Sequence, residues 1–214
     1  MRLATVCLLA LALAVCGAPV ASAATAKRPP TACQKLAKRG RDRAPSHKLV
    51  VVVRGDDESG RISGCVYPRG KVRTLASWDD GLSRDRSNIV LIAGTFVIVE
   101  DRHGDQYGGI SREVRRVDVR SGKRLALSSY GCIIDLEQHG CSSGTNAGDV
   151  AMTSSGAGAY ELTDLATQTT SLQAFSPAGT FTKLTDFAVD DLRVTSMQIS
   201  WTVGGVVFGA PTPV

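Results

Sequence analysis

Apolar residues in this chain come in short β-branched runs rather than at helical spacing. The runs are Leu49 to Val53, Ile89 to Ile92, Phe96 to Val99, Val114 to Val119 and Met197 to Val203. Gly, Ser and Thr interrupt the sequence every few residues, and after residue 48 no 3.6-residue apolar period lasts a full helix. Each run predicts a strand bounded by turn residues. Leu49-Val50-Val51-Val52-Val53 and Phe96-Val97-Ile98-Val99 do not alternate with polar positions, which predicts strands covered on both faces, as in the interior of packed sheets. Ile134 and Leu136 do alternate with Asp135, Glu137 and His139. The predicted fold class is all-β.

A looser repeat underlies the strands: an apolar strand, a polar loop, a second strand, a glycine turn and a closing strand. The first unit runs from Val50–Val53 through Pro68-Arg69-Gly70 to Val72–Leu75. The second runs from Phe96–Val99 through Arg120-Ser121-Gly122-Lys123 to Arg124–Leu127, and the third from Ala159–Leu162 through Pro177-Ala178-Gly179 to Thr180–Leu184. A fourth unit begins at Ile199-Ser200-Trp201-Thr202-Val203. Units of about 40–50 residues built as antiparallel four-stranded meanders are the arithmetic of β-propeller blades. Three units and a fragment predict a small or incomplete β-propeller-like fold. The alternative is an irregular β-sandwich, which uses the same strands without the repeat.

The chain also resembles a group of uncharacterised secreted actinobacterial proteins with degenerate β-propeller-like repeats. The matching residues are Cys33 in a basic segment, Gly64-Cys65-Val66 followed by Pro68-Arg69-Gly70, Arg120-Ser121-Gly122-Lys123, and Trp201-Thr202 before Gly204-Gly205. The resemblance implies export and a β fold, and it implies no activity.

The N-terminus carries the clearest address. Met1-Arg2 is followed by the nearly all-apolar stretch Leu3 to Cys16 and by Ala21-Ser22-Ala23, a small-residue cleavage site before Ala24. This order is that of a secretory signal peptide at residues 1–23. The apolar run is shorter than the roughly 20 residues a membrane span needs, so no transmembrane segment is expected in the mature chain. Lipid attachment at Cys16 is the rival reading, but Val15 stands where a small residue is normally required. Removing 23 of the 214 residues leaves 191, a length that suits one domain. The four cysteines that remain are Cys33, Cys65, Cys132 and Cys141, and an oxidising compartment makes them disulfide candidates. Three connectivities exist; Cys132 and Cys141 flank one short loop, which predicts Cys132–Cys141 and Cys33–Cys65.

Charge is unevenly placed. The net charge of +5 comes from an arm, residues 24–48, that holds eight Lys or Arg (Lys27, Arg28, Lys35, Lys38, Arg39, Arg41, Arg43, Lys48) against one acid, Asp42. Residues 49–214, the expected all-β domain, hold 16 basic and 19 acidic side chains. The arm reads as a solvated lead-in tethered by Cys33, and its charge suits an anionic envelope polymer as a partner. No aromatic residue interleaves those charges, so nucleic acid is not expected.

Candidate chemistry is sparse. Gly140-Cys141-Ser142-Ser143-Gly144 matches the G-x-S-x-G nucleophile elbow, which needs a helix directly after it and a later acid and histidine. Thr145-Asn146-Ala147-Gly148-Asp149 is a poor helix start, and His139 is the last histidine, so the pentapeptide predicts no catalysis. Asp135, Glu137 and His139 share one strand face, where they read as the wet side of an edge strand rather than as metal ligands. Asp56-Asp57-Glu58, Asp79-Asp80-Gly81 and Asp101-Arg102-His103-Gly104-Asp105 read as loop tips without calcium-loop spacing. Arg54-Gly55-Asp56 spells an integrin-type tripeptide by chance composition. A Ser-His-Asp site would have to use His47, His103 or His139. Trp201 is expected in the core and Trp78 at the surface, with Tyr107 and Tyr130 unassigned. No catalytic, cofactor-binding or metal residue is therefore assigned, and no cofactor is expected. The functional expectation is a secreted, non-enzymatic binding or interaction module. The alternatives are a secreted hydrolase whose site is hidden in the linear sequence and an envelope protein held by its basic arm.

Overall fold

The short apolar runs become edge-to-edge antiparallel meanders in the computed structural model, which describes residues 30–39, 49–56, 59–79, 85–104, 109–133 and 143–214. Strands β1 (Leu49–Gly55), β2 (Ser59–Val66) and β3 (Arg73–Asp79) form the first sheet. The second contains β4 (Arg86–Ala93), β5 (Phe96–Gly104), β6 (Gly109–Asp118) and β7 (Arg124–Ile133), and the third β8 (Thr145–Met152), β9 (Gly158–Asp164), β10 (Thr169–Phe175) and β11 (Phe181–Thr185). The fourth is β12 (Asp190–Val194), β13 (Gln198–Val203) and β14 (Val206–Pro211). The fold is all-β, and each sheet pairs its strands in chain order.

The repeat inferred from the sequence corresponds to real equivalences. Its opening strands are β1, β5, β9 and β13, and its turns close β2–β3, β6–β7 and β10–β11. In all three the turn glycine's N–H bonds back across the turn: Gly70 to the carbonyl of Val66 at 2.6 Å, Gly122 to Asp118 at 2.6 Å and Gly179 to Ser176 at 3.1 Å. Gly122 and Gly179 also take positive φ, 81° and 99°, which favours glycine. The sequence units omit the strand that opens the second, third and fourth sheets, β4, β8 and β12. Among the described residues the first sheet lacks this opening strand and the fourth lacks the closing one.

The sheets pack in series. Leu49, Val51, Ile62 and Leu75 of the first meet Val97, Val99 and Val117 of the second in one buried cluster. Ile98, Val114 and Leu127 on the opposite face meet Met152, Tyr160 and Phe175 of the third. Ala159, Leu172 and Ala174 then meet Val189, Ile199 and Trp201. The unbroken apolar run of β5 is thus explained: successive side chains enter two different cores. The four faces of a two-sheet sandwich could not supply three cores, and the molecule is an incomplete propeller-like series.

Both ends of the series are finished off. On β13, Gln198, Ser200 and Thr202 alternate with Ile199 and Trp201, so this strand turns a polar face outward. At the other end the helix α1 (Ala32–Arg39) covers the first sheet, burying Cys33 and Leu36 against Val52 and Cys65. The basic arm therefore contains a docked helix that the sequence reading treated as solvated lead-in. A capping box starts it: Thr31 Oγ1 accepts from the Gln34 N–H at 3.2 Å, and Gln34 Oε1 accepts from the Thr31 N–H at 2.8 Å. Lys35 and Lys38 stay exposed. The predicted Cys33–Cys65 disulfide is present, with an S–S distance of 2.05 Å. Cys132 is disulfide-bonded as well. Cys141, its expected partner, lies outside the described residues, as do residues 1–29 and 40–48, which hold the expected signal peptide and most of the arm.

Arginines fasten neighbouring sheets. Arg73 of β3 donates to the carbonyls of Val119 and Arg120 at 3.0 Å each. Arg116 of β6 donates to the carbonyls of Gly156, Ser176 (3.0 Å) and Pro177 (2.8 Å), with its guanidinium 5.3 Å from the Phe96 ring centroid and 5.5 Å from that of Phe175. Arg112 bonds Asn146 Oδ1 and the Ala147 carbonyl across the same junction. Arg112 also meets Glu100 Oε1 at 2.6 Å, and Arg102 meets the same oxygen at 2.5 Å. Burial alone would raise the Glu100 carboxyl, but the hydrogen bonds and charge of Arg102 and Arg112 outweigh it and hold the group below the ordinary 4.5. A depressed folded-state pKa gives stability that is complete above the unfolded pKa and lost as pH falls through the folded one. Thermal melting should therefore weaken below about pH 4.5, and Glu100→Gln should flatten that acid limb of the Tm–pH curve while lowering Tm at pH 7.

Candidate functional site: a polar cleft between the first two sheets

Beyond Val99 the strand β5 changes character without ending. Asp101 to Gly104, expected as a loop tip, continue the strand, because β6 supplies arginines diagonally across from its acids: Arg112 for Glu100 and Arg115 for Asp101. Asp101 is 5% exposed and ion-paired with Arg115, whose guanidinium also reaches the carbonyl of Leu75 in β3 at 3.2 Å. Side chains alternate, so Val97, Val99, Asp101 and His103 all face the first sheet. That face grades from apolar to buried polar to open.

The open end is a cleft of about 740 Å³. The first sheet contributes Arg54, Arg61, Ser63, Ser77, Trp78 and Asp79, and the second contributes Asp85, just before β4. Trp78, expected at the surface, is half-buried against the core between the first two sheets, its indole lying directly over Gly60, where a Cβ would collide with the ring. Its Nε1 donates to the Asp56 carbonyl at 3.1 Å. Asp56 ends the integrin-type tripeptide, and its Oδ1 accepts from the Ser59 N–H at 2.9 Å, so that carboxylate is spent in the hairpin turn. This agrees with the expected loop tip at Asp56; Asp57 and Glu58 lie outside the described residues, as do Asp80, Gly81 and Asp105.

Four buried side-chain atoms have no hydrogen-bond partner among the described residues, and they lie together: Asp85 Oδ1, Ser87 Oγ, Asp101 Oδ1 and Arg115 Nε. Ser87 and Asp101 are cross-strand partners. Asp85 sits two residues before Ser87 on the same face and places Oδ2 3.1 Å from His103 Nδ1. The row leads from the cleft wall at Asp85 inward to Arg115. Among the described residues two arginines and two aspartates line the cleft, so the formal charge of that lining is balanced.

Asp85 and His103 supply an acid and an imidazole in hydrogen-bond reach. Ser111 stands opposite His103 across β5–β6, yet among the described residues no hydrogen bond links it to the ring. The pentapeptide at 140–144 is followed by strand β8, not the helix a nucleophile elbow requires; Gly140, Cys141 and Ser142 lie outside the described residues. Asp135, Glu137, His139, His47 and Tyr107 lie outside them too. Among the described residues no group of three or more His, Cys, Asp or Glu side chains is arranged to hold a metal ion. Trp201 is 6% exposed and in the core as expected, stacked on Phe208 at 6.1 Å. Tyr130 is half-buried.

Sequence reading missed Asp85, Ser87, Arg115 and the cleft as a whole. The cross-strand row exists only through pairing of β4 with β5 and β6. The one legible sign was acidic residues at both ends of an otherwise apolar hairpin. No family model, curated protein or solved structure matches the chain. No helix of the described residues is long and apolar enough to cross a membrane.

Proposed function

We propose that this protein is an exported, non-enzymatic binding module whose cleft takes a neutral, polyhydroxylated ligand, a glycan. The observation that carries the reading is the row of unpaired buried atoms behind Asp85. Carboxylate oxygens only accept hydrogen bonds, so a ligand group meeting Asp85 or Asp101 must donate, as a hydroxyl does. Arg54 and Arg61 in the cleft lining offer the complementary donors. Balanced charge gives no field that selects an ion, and the indole of Trp78 supplies a flat apolar flank. The Cys33–Cys65 disulfide supports the oxidising compartment that the signal sequence addresses.

The test is a glycan array with the purified chain, followed by calorimetry on one neutral oligosaccharide that binds. Asp85→Ala should weaken that binding roughly tenfold or more, the loss of about 1.4 kcal/mol or above expected for a hydrogen bond to a charged group. Trp78→Phe, which keeps the packing on Gly60, should weaken it by less. Binding of sulfated or phosphorylated glycans alone, or neutral binding untouched by Asp85→Ala, sinks the reading.

A further inference from the structure

Among the described residues the fourth sheet lacks the closing strand that β3, β7 and β11 provide elsewhere, leaving β14 as an outer edge. Those three outer strands each carry charge, Arg73 and Asp79, Arg124, and Lys183 respectively, which guards an edge against pairing. β14 carries none: Val206, Val207 and Phe208 are 58%, 73% and 45% exposed. Beside them Phe187, 65% exposed, joins Thr185, Trp201, Val203 and Phe208 around an apolar pocket of about 140 Å³.

The register shows which backbone groups are open. Thr212 N–H donates to the Met197 carbonyl at 3.1 Å, and Val203 pairs with Val206 across the two-residue Gly204-Gly205 turn. Hydrogen-bonding alternates along an antiparallel pair, so Val206, Phe208 and Ala210 bond β13 while Val207, Gly209 and Pro211 point outward. Thr212 Oγ1 also bonds the Thr195 carbonyl at 2.8 Å, which directs the chain toward the β12–β13 turn and away from the free edge.

We propose that β14 pairs antiparallel with β14 of a second copy, which fills the closing-strand position of the fourth sheet in both. The segment is self-complementary about Phe208. Val207 and Gly209 exchange both backbone bonds with Gly209 and Val207 of the second copy. Pro211, which has no N–H to give, falls opposite the Gly205 turn, where the ladder has ended. The two Phe208 rings meet on the pocket side and extend the Trp201–Phe208 stack, while Gly209 leaves room for Val207 on the other face. With no charge between Gly204 and Val214, two identical edges meet without repulsion.

Sedimentation and light scattering of the full chain across a concentration series test this. The wild type should dimerise, and Val207→Pro should make it monomeric, since the lost N–H faces only the free edge. Val207→Lys should do the same through like charge, with melting of the monomer unchanged in either variant. A wild-type monomer throughout the series overturns the proposal, as does a dimer that survives both substitutions.

Discussion

Arg116→Ala should lower the stability of the chain by about 3–4 kcal/mol, a drop in Tm of roughly 10 °C. The substitution strands three carbonyls, those of Gly156, Ser176 and Pro177, at a junction where the arginine is 6% exposed. It also removes the cation that lies over Phe96 and Phe175. Each hydrogen bond to a charged group contributes about 1.5–3 kcal/mol, while burial of the guanidinium opposes part of that gain and pushes its pKa down. Arg116→Lys should recover little, because one ammonium cannot reach three carbonyls spread across two turns with a planar fork's geometry. Differential calorimetry of the three proteins decides it; equal melting of wild type and Arg116→Lys would mean that charge, not the fork, holds the junction.

Cys33→Ala with Cys65→Ala should cost about 3–4 kcal/mol, as expected for opening a loop of 32 residues. The effect should be local in a way that Arg116→Ala is not. An eight-residue helix is too short to persist alone in water, so losing the staple should release α1 even where the sheets remain folded. Val52 and its neighbours would then meet solvent. Hydrogen exchange should show residues 32–39 unprotected in the variant while β5 keeps its protection. Uniform loss of protection along the chain would show that α1 is integral to the sheets rather than a cover for them.

The sequence revealed most of the strand pattern because periodicity is local. Leu49–Val53 and Phe96–Val99 announced two-sided burial, and the turn glycines at 70, 122 and 179 marked equivalent hairpins. The helix escaped because its basic surroundings dominated the composition of the arm, although Thr31 and Gln34 stood at capping-box spacing. The cleft escaped for a deeper reason. Asp101 reads as a turn residue until Arg115 is seen diagonally across from it on β6, and Asp85 gains meaning only from its place beside Ser87 and His103. Strand identity is written in the order of residues along the chain. The cleft depends on which strands become neighbours, and that is settled by packing.

Among the described residues the sheets form a row whose cores join each to the next, with no ring to lock it. Its stability is a sum of within-sheet and neighbour terms, so local opening should begin at its ends. The second and third sheets, gripped on both faces, would be the last to let go. The same logic makes such a row tolerant of change in length: one meander gained or lost between the two covers leaves every remaining interface intact.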